Sequence, residues 1–550
     1  MNLIREELSG HRAKQHAAYL TQFMRTPASS GIRSSLDYAE NQMRSYGLDR
    51  VFGIEFETES GWDVSDAELR VISPVEDTIV SYSEAPTCIQ WWSKETPQEG
   101  VTAELVDVGS GLLESDYEGK NVEGKVVLAS GDGHAEGNDH AYSLAMRFGA
   151  LGLVTDSLLY PQPPTRTRVS QPDAVQMLRT PKLGKGWAFS ISFTKAQMLR
   201  RLLEQGPVKV WARVDAKNYR GKDRVLIGEI TGAEKTDEEI WFVAHCSGTK
   251  PGANCAAGVG LWLEQARLYT HLIRTGRVVR PKRTIRFILG AEGLGINAYL
   301  NHLGGRLPKV PCAFVYCSVG NDQEKCNSSL VMFKSPESIS SYVNHICQYA
   351  IEAASKDATP PFKDVSRDLT LIRFNVAPYT PWSDNSTLMR FKIACPLFMS
   401  WPDTHFHTQF LTADKIDPKI LARCGLVTSS VGLFIADAGI DEARAMLIEV
   451  KRREEQTLAS TTSEAYHALM EVRSLPVTGR PVDSIRNEHE TRIKYVLQRA
   501  LGAISALEGL VSSNKELKEF EAECSKAQQE LIRKASEERT LLSSLISKWE

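Results

Sequence analysis

The stretch VAHCSGTKPGANCAAGVGLWLE, Val243 to Glu264, places an imidazole and two thiols, His245, Cys246 and Cys255, around a glycine-containing turn between an apolar run and a helix-like segment. Three other short segments carry groups of the same chemical kind: Glu292 in GAEGLG, Cys317 in YCSVG, and the pair His405 and His407 in THFHT. Imidazoles, thiols and carboxylates ligate transition metals, attack as nucleophiles and transfer protons. A catalytic thiol needs an adjacent base and an exposed, electropositive setting; Cys255 or Cys246 assisted by His245 or His407 are the pairs on offer. His405 and His407 stand at i and i+2, so an extended segment would turn both to one face and toward one metal; the other reading of His405 is a surface histidine.

Elements must bring these residues together. After RVLIGEITG the chain alternates helical segments with runs that read as buried on both faces, IWFVAHC, TIRFILGAE, CAFVYCSVG and ACPLFMSW. That rhythm predicts an α/β domain over 216–440 built on a mostly parallel, helix-covered sheet. Chemistry in such sheets gathers at the carboxyl ends of strands, where His245, Glu292 and Cys317 fall, so three segments converge on one crevice. Residues 1–99 read as an N-terminal helical and strand part, with two helices separated by RTPASSGIRSS. Residues 100–215 read as a compact α/β insertion, with GKVVLAS, AYSLAMRFGA, LGLVTDS, a Pro-rich loop and WAFSISF in succession. The region 441–550 is helical in character. Beyond the breaker LPVTGRP, apolar residues from Ile493 to Val511 and from Leu517 to Leu531 keep near-heptad spacing around a break at Ser512-Ser513-Asn514, which predicts a helical hairpin. It would pack on its own domain, on a second copy or on a partner protein.

The composition sets outer bounds. With 550 residues, 42% hydrophobic and 24% charged, this is an ordinary globular chain with room for several domains. A net charge of −3 without a Lys/Arg block gives no electrostatic reason to expect nucleic acid or an anionic membrane as partner. The first residues lack the succession of a signal peptide and no apolar run approaches the ~18 residues of a membrane span, so a cytoplasmic protein is expected. Ten cysteines without a CxxC pair do not form a disulfide framework. Cys88, Cys347, Cys395 and Cys424, set among apolar neighbours, read as small buried hydrophobes.

Taken in order, these motifs resemble the co-catalytic zinc aminopeptidase family, peptidase family twenty-eight, in the branch with an inserted protease-associated domain. GKVVLASGDG, FGALGLVTDS and WAFSISF resemble that insertion, and residues 239–437 resemble the peptidase domain. The resemblance implies two zinc ions sharing a bridging carboxylate and water, with a nearby Glu as base. His245 matches the His of an AHxD strand end, whose Asp is replaced by Ser247. Cys255 stands nearest the bridging Asp of a GANDNASG turn, here one residue shorter. Glu292 matches the base, Gly293 stands where a Glu ligand belongs, Cys317 takes the place of an Asp ligand, and His407 matches the His of a YHT turn. Asp384 in PWSDNS resembles a supporting SD turn, and Trp382 and Trp401 line a pocket or pack at its rim.

The departures fall unevenly. One ancestral zinc would keep His245, Cys255 and Cys317, a His/Cys/Cys set that leaves a fourth position for water. The other would be left with Cys255, Gly293 and His407, and Gly offers no ligand. Three readings follow: a hydrolase of peptide or amino-acyl substrates with one zinc, a metal-free pseudopeptidase that binds a peptide or partner, and a cysteine-dependent enzyme using Cys255 or Cys246. Metal content separates the first two.

Overall fold

A computed structural model describes residues 1–182, 184–356, 372–474 and 482–547. The breaker LPVTGRP lies outside the described residues. Helices α1 (Asn2–Glu7), α2 (Gly10–Leu20) and α3 (Ser30–Tyr46) open the chain, with Ser29 capping α3 by accepting from the Ile32 amide at 3.1 Å. Strand β1 (Arg50–Ser73) follows, then β2 (Asp77–Ser81), β3 (Val101–Asp107), β4 (Val126–Ala129), α4 (Ala135–Arg147), β5 (Gly152–Thr155), β6 (Trp187–Ser190) and α5 (Phe193–Gln205). Strand β7 (Lys209–Ile230) returns antiparallel along the length of β1, from Arg50 opposite Glu229 to Ser73 opposite Lys209.

The register of that pair slips between Thr58 and Gly61, and the two ends serve different cores. The far end, with Trp62, Leu69, Val71, Val210 and Val214, packs with Cys88, Ile89, Val126, Leu128 and Phe189 into one apolar cluster. Residues 62–92 therefore share a core with residues 105–214. The near end joins the main sheet, where β7 pairs antiparallel with β9.

The second half supplies β8 (Lys235–His245), α6 (Ala253–Arg274), β9 (Arg283–Gly290), α7 (Leu294–Leu303), β10 (Lys309–Tyr316), β11 (Ser329–Phe333), α8 (Val343–Lys356), β12 (Phe374–Ala377), α9 (Asn385–Arg390), β13 (Leu397–Trp401) and α10 (Pro418–Asp437). The strand order is β12-β11-β13-β10-β8-β9-β7-β3-β4-β5-β6. The four predicted runs, β13, β10, β8 and β9, are neighbours and parallel, as the absence of polar alternation in them requires. β11 pairs antiparallel with β13, as β7 does with β9, so the sheet is mixed. Helix α10 has the length and apolar character of a membrane span, yet 67% of its most apolar window is buried within the protein. All ten cysteines are free and buried.

The C-terminal helices are present as α11 (Ile440–Ser474), α12 (Val482–Glu508) and α13 (Asn514–Ile546), the last capped by Ser513 at the predicted break. Ile493, Ala500, Ile504, Leu507, Phe520, Cys524 and Leu531 are buried in a cluster continuous with the main core, so these helices pack on their own domain. A buried polar junction reinforces this docking. Glu454 of α11, fully buried, accepts from His345 Nε2 of α8 at 2.7 Å and from Arg499 of α12 at 2.6 and 3.0 Å. Removing one partner of a buried ion pair strands the others. Glu454→Ala should cost about 3–5 kcal/mol in urea unfolding; a loss under about 1 kcal/mol would show that apolar packing alone docks the helices.

Candidate metal and substrate site

Strand ends and two turns build the site. β8 delivers His245 and the turn to Gly252, β9 delivers Glu292 and Gly293, and β10 delivers Cys317. The turns before α9 and after β13 add Ser383, Asp384 and His407. The two-residue period of strands decides which side chains face the cleft. Ile240, Phe242, Ala244 and Cys246 feed the main core, whereas Trp241 and Val243 sit on the other face with Ala313 and Val315 of β10 and with Cys317 just beyond it. His245 continues that second row. Cys246 points away: its Sγ lies 3.6 Å from the Gly290 carbonyl oxygen, and burial pushes its thiol up to about 12.

His245 is buried, with Nδ1 3.1 Å from Asp384 Oδ2 and 3.3 Å from Ser383 Oγ. Its Nε2 is buried without a hydrogen-bond partner and stands 3.8 Å from Glu292 Oε1. Burial opposes the imidazolium, but Glu292, Cys255 and Asp384 together raise the His245 pKa well above its ordinary value. Burial likewise pushes the Cys317 thiol up, with His245 pulling it back part of the way. Glu292 is exposed to the cleft; Ser383 Oγ donates to its Oε1 at 2.8 Å, and its amide donates to Ser247 Oγ at 3.0 Å. The Gly293 amide donates to Asp384 Oδ1 at 2.8 Å.

The ligand atoms of His245, Glu292 and Cys317 all lie within 4.8 Å of one another, a grouping able to hold a metal ion. Cys255, the third residue of α6, is buried, lines the same cleft and interacts with His245. Gly293, at φ +68°, faces open space where a side-chain ligand would stand. His407 also lines the cleft, in the left-handed region at φ +56° and stacked on Phe406 with ring centroids 3.8 Å apart. Burial, with the Arg166 and His245 charges, lowers its pKa to about 3, which leaves it neutral. His405 is not brought to the cleft; its ring lies edge-on to Phe410 with centroids 6.2 Å apart, beside the Lys325 backbone.

The cleft has a volume of about 750 Å³ and runs between the main sheet and the 62–214 lobe. On one wall Trp382 and Tyr160 are 41% and 38% exposed and stack at 6.4 Å, with Trp401 edge-on to Trp382 at 4.7 Å. The lobe contributes Tyr160 itself and also Trp91, Met177, Arg179 and Lys182 to the lining. Sequence reasoning missed Ser383, although it adjoins Asp384. It also missed Arg25, fully buried under the first turn, where Nε donates to the Cys246 carbonyl at 2.8 Å and Nη2 to that of Gly252 at 2.9 Å. The pairing of Arg25 with a turn some 220 residues away leaves no local signal.

This geometry and topology define a zinc-aminopeptidase-like fold, and the solved structures that match the chain include zinc aminopeptidases and a peptidase M28 precursor. The zinc aminopeptidase BSAP from Bacillus subtilis aligns with a TM-score of 0.56 at 18% identity, over 77% of this chain and 94% of its own. A peptidase M28 precursor from Shewanella amazonensis aligns with a TM-score of 0.54 at 18% identity, over 80% and 96%. An aminopeptidase from Aneurinibacillus sp. strain AM-1 aligns with a TM-score of 0.50 at 20% identity, over 79% and 95%. No family model and no curated protein sequence matches. At these identities the likeness establishes the fold.

Asp403 opens the turn that carries His407. It is fully buried and accepts from Asn321 Nδ2 and from the His405 amide, each at 2.9 Å. Burial nonetheless pushes its pKa up to about 6, against the pull of Arg166. A carboxyl that binds its proton more tightly when folded contributes stability that is fully present below about pH 4 and lost as pH rises through about 6. Asp403→Asn should therefore lose less stability than wild type between pH 4 and 7, by about 2–3 kcal/mol in urea unfolding at each pH. Identical pH profiles would show that Asp403 does not hold its proton in the folded state.

Proposed function

We propose that the chain is an aminopeptidase-like hydrolase of peptide or amino-acyl substrates, with one zinc held by His245, Cys255 and Cys317 and with Glu292 as general base. The observation that carries the reading is His245: Asp384 fixes Nδ1 as the donor, and Nε2 is left buried, unpaired and aimed at the group that includes Cys317 and Glu292. A histidine that ligates a metal is oriented in this way by a carboxylate on its other nitrogen. When bound, zinc supplies Lewis-acid activation of water and of a scissile carbonyl. The protein's own groups do the rest. Glu292 takes the proton of the attacking water, with Ser383 Oγ holding the carboxylate. His407, neutral, offers a hydrogen bond to the substrate, and Trp382 and Tyr160 receive an apolar side chain. The second position of the family's pair does not fit a metal, because Gly293 has no ligand to give. Residues 100–215, most of the 62–214 lobe that walls the cleft, are read as the protease-associated insertion.

The loss of that ligand also favours the runner-up, a metal-free module that binds peptides in the same cleft. Of the candidate nucleophiles, Cys246 faces the core with a raised pKa, so a thiol enzyme would rest on Cys255 alone.

Protein purified without added metal or chelator should contain close to one zinc per chain by elemental analysis, and Cys317→Ser should lower it. Wild type that stays metal-free after zinc is offered overturns the hydrolase reading in favour of the binding module. In the active protein Glu292→Gln should reduce turnover by about 10²- to 10⁴-fold with zinc content nearly intact. If zinc leaves with the carboxylate, Glu292 is a ligand and its role as base falls.

A further inference from the structure

The 62–214 lobe holds the turn that carries His407. Arg166, fully buried, spans the seam: it donates to Leu159 O at 3.0 Å and Gln176 Oε1 at 2.8 Å in the lobe, and to Thr404 O at 2.6 Å and Phe406 O at 2.8 Å in the turn. The His407 carbonyl is held from the same side, by the Met177 amide at 2.7 Å and by Gln176 Nε2 at 3.1 Å. Further along, Gln409 bonds the Val175 amide at 2.8 Å and the Asp173 carbonyl at 2.9 Å. His407 sits in the left-handed region at φ +56°, which a residue with a Cβ adopts only where its surroundings over-determine it. Here Arg166, Gln176 and the Met177 amide supply that constraint, and all three belong to the lobe.

We propose that Arg166 is a positioning residue through which the lobe sets the His407 turn, so that the His407 ring is presented to the cleft only when the lobe is docked. A lysine would keep the charge but not the planar fork that reaches four acceptors on two sides of a seam. The effect on turnover rests on the hydrolase reading; the placement of His407 does not.

The test uses the full chain labelled with ¹⁵N-histidine, the His407 ring signal being identified by its loss in His407→Gln. In Arg166→Lys the His407 signal should shift or broaden while that of His16, buried among the N-terminal helices, stays in place. Turnover should fall about 10- to 100-fold, chiefly in kcat. Gln176→Ala, which keeps the guanidinium and removes one bond to the His407 carbonyl, should move the same signal with a smaller loss of rate. If Arg166→Lys does not fold, Gln176→Ala decides alone. An unmoved His407 signal in the folded variants, with only the melting temperature lowered, overturns the proposal. If wild type turns over no substrate, the hydrolase reading fails while the His407 signal still decides this one.

Discussion

The site depends first on one buried carboxylate. Asp384 is 2% exposed and holds two strand ends at once, His245 through Nδ1 and the Gly293 amide through its other oxygen. Buried polar oxygens need partners, and here satisfying both aligns β8 with the turn after β9. The same bond fixes the orientation of the imidazole and so decides that Nε2 faces the cleft. The remaining tethers, the Glu292 amide to Ser247 and the Glu292 carboxylate to Ser383, close a loop among residues from three segments. No member can rotate without unpairing another.

Much of the fold was legible because burial on both faces removes polar alternation from a strand, and four such runs in succession left few alternatives to a parallel, helix-covered sheet. The break at Ser512-Ser513 was legible for an equally local reason, a side chain that caps the next helix. In the site, parity along β8 would have separated His245 from Cys246 without a structure, since the apolar residues at 240, 242 and 244 already mark the core row. The direction of His405 was not legible. The i,i+2 argument assumes an extended segment, whereas here the Thr408 amide donates to the His405 carbonyl and His407 has positive φ, so the chain turns between the two rings. The seam with the lobe was equally silent, because Arg166 and Phe406 are 240 residues apart.

Two buried arginines share a design. Arg25 and Arg166 are each fully buried and bond to carbonyl and amide oxygens, Arg25 to those of Leu20, Phe23, Cys246 and Gly252. Irregular turns at the ends of strands leave carbonyls that neighbouring backbone cannot satisfy, and a guanidinium reaches several at once. The cost is a buried charge, eased at Arg166 by Asp403, and burial lowers the pKa of both groups. At Arg25 that charge lies close to the cleft floor. A Cβ added to Gly248 would come within 3.0 Å of Arg25 Nη2 and 3.8 Å of Cys255 Cβ, so only a glycine separates the cation from the thiol.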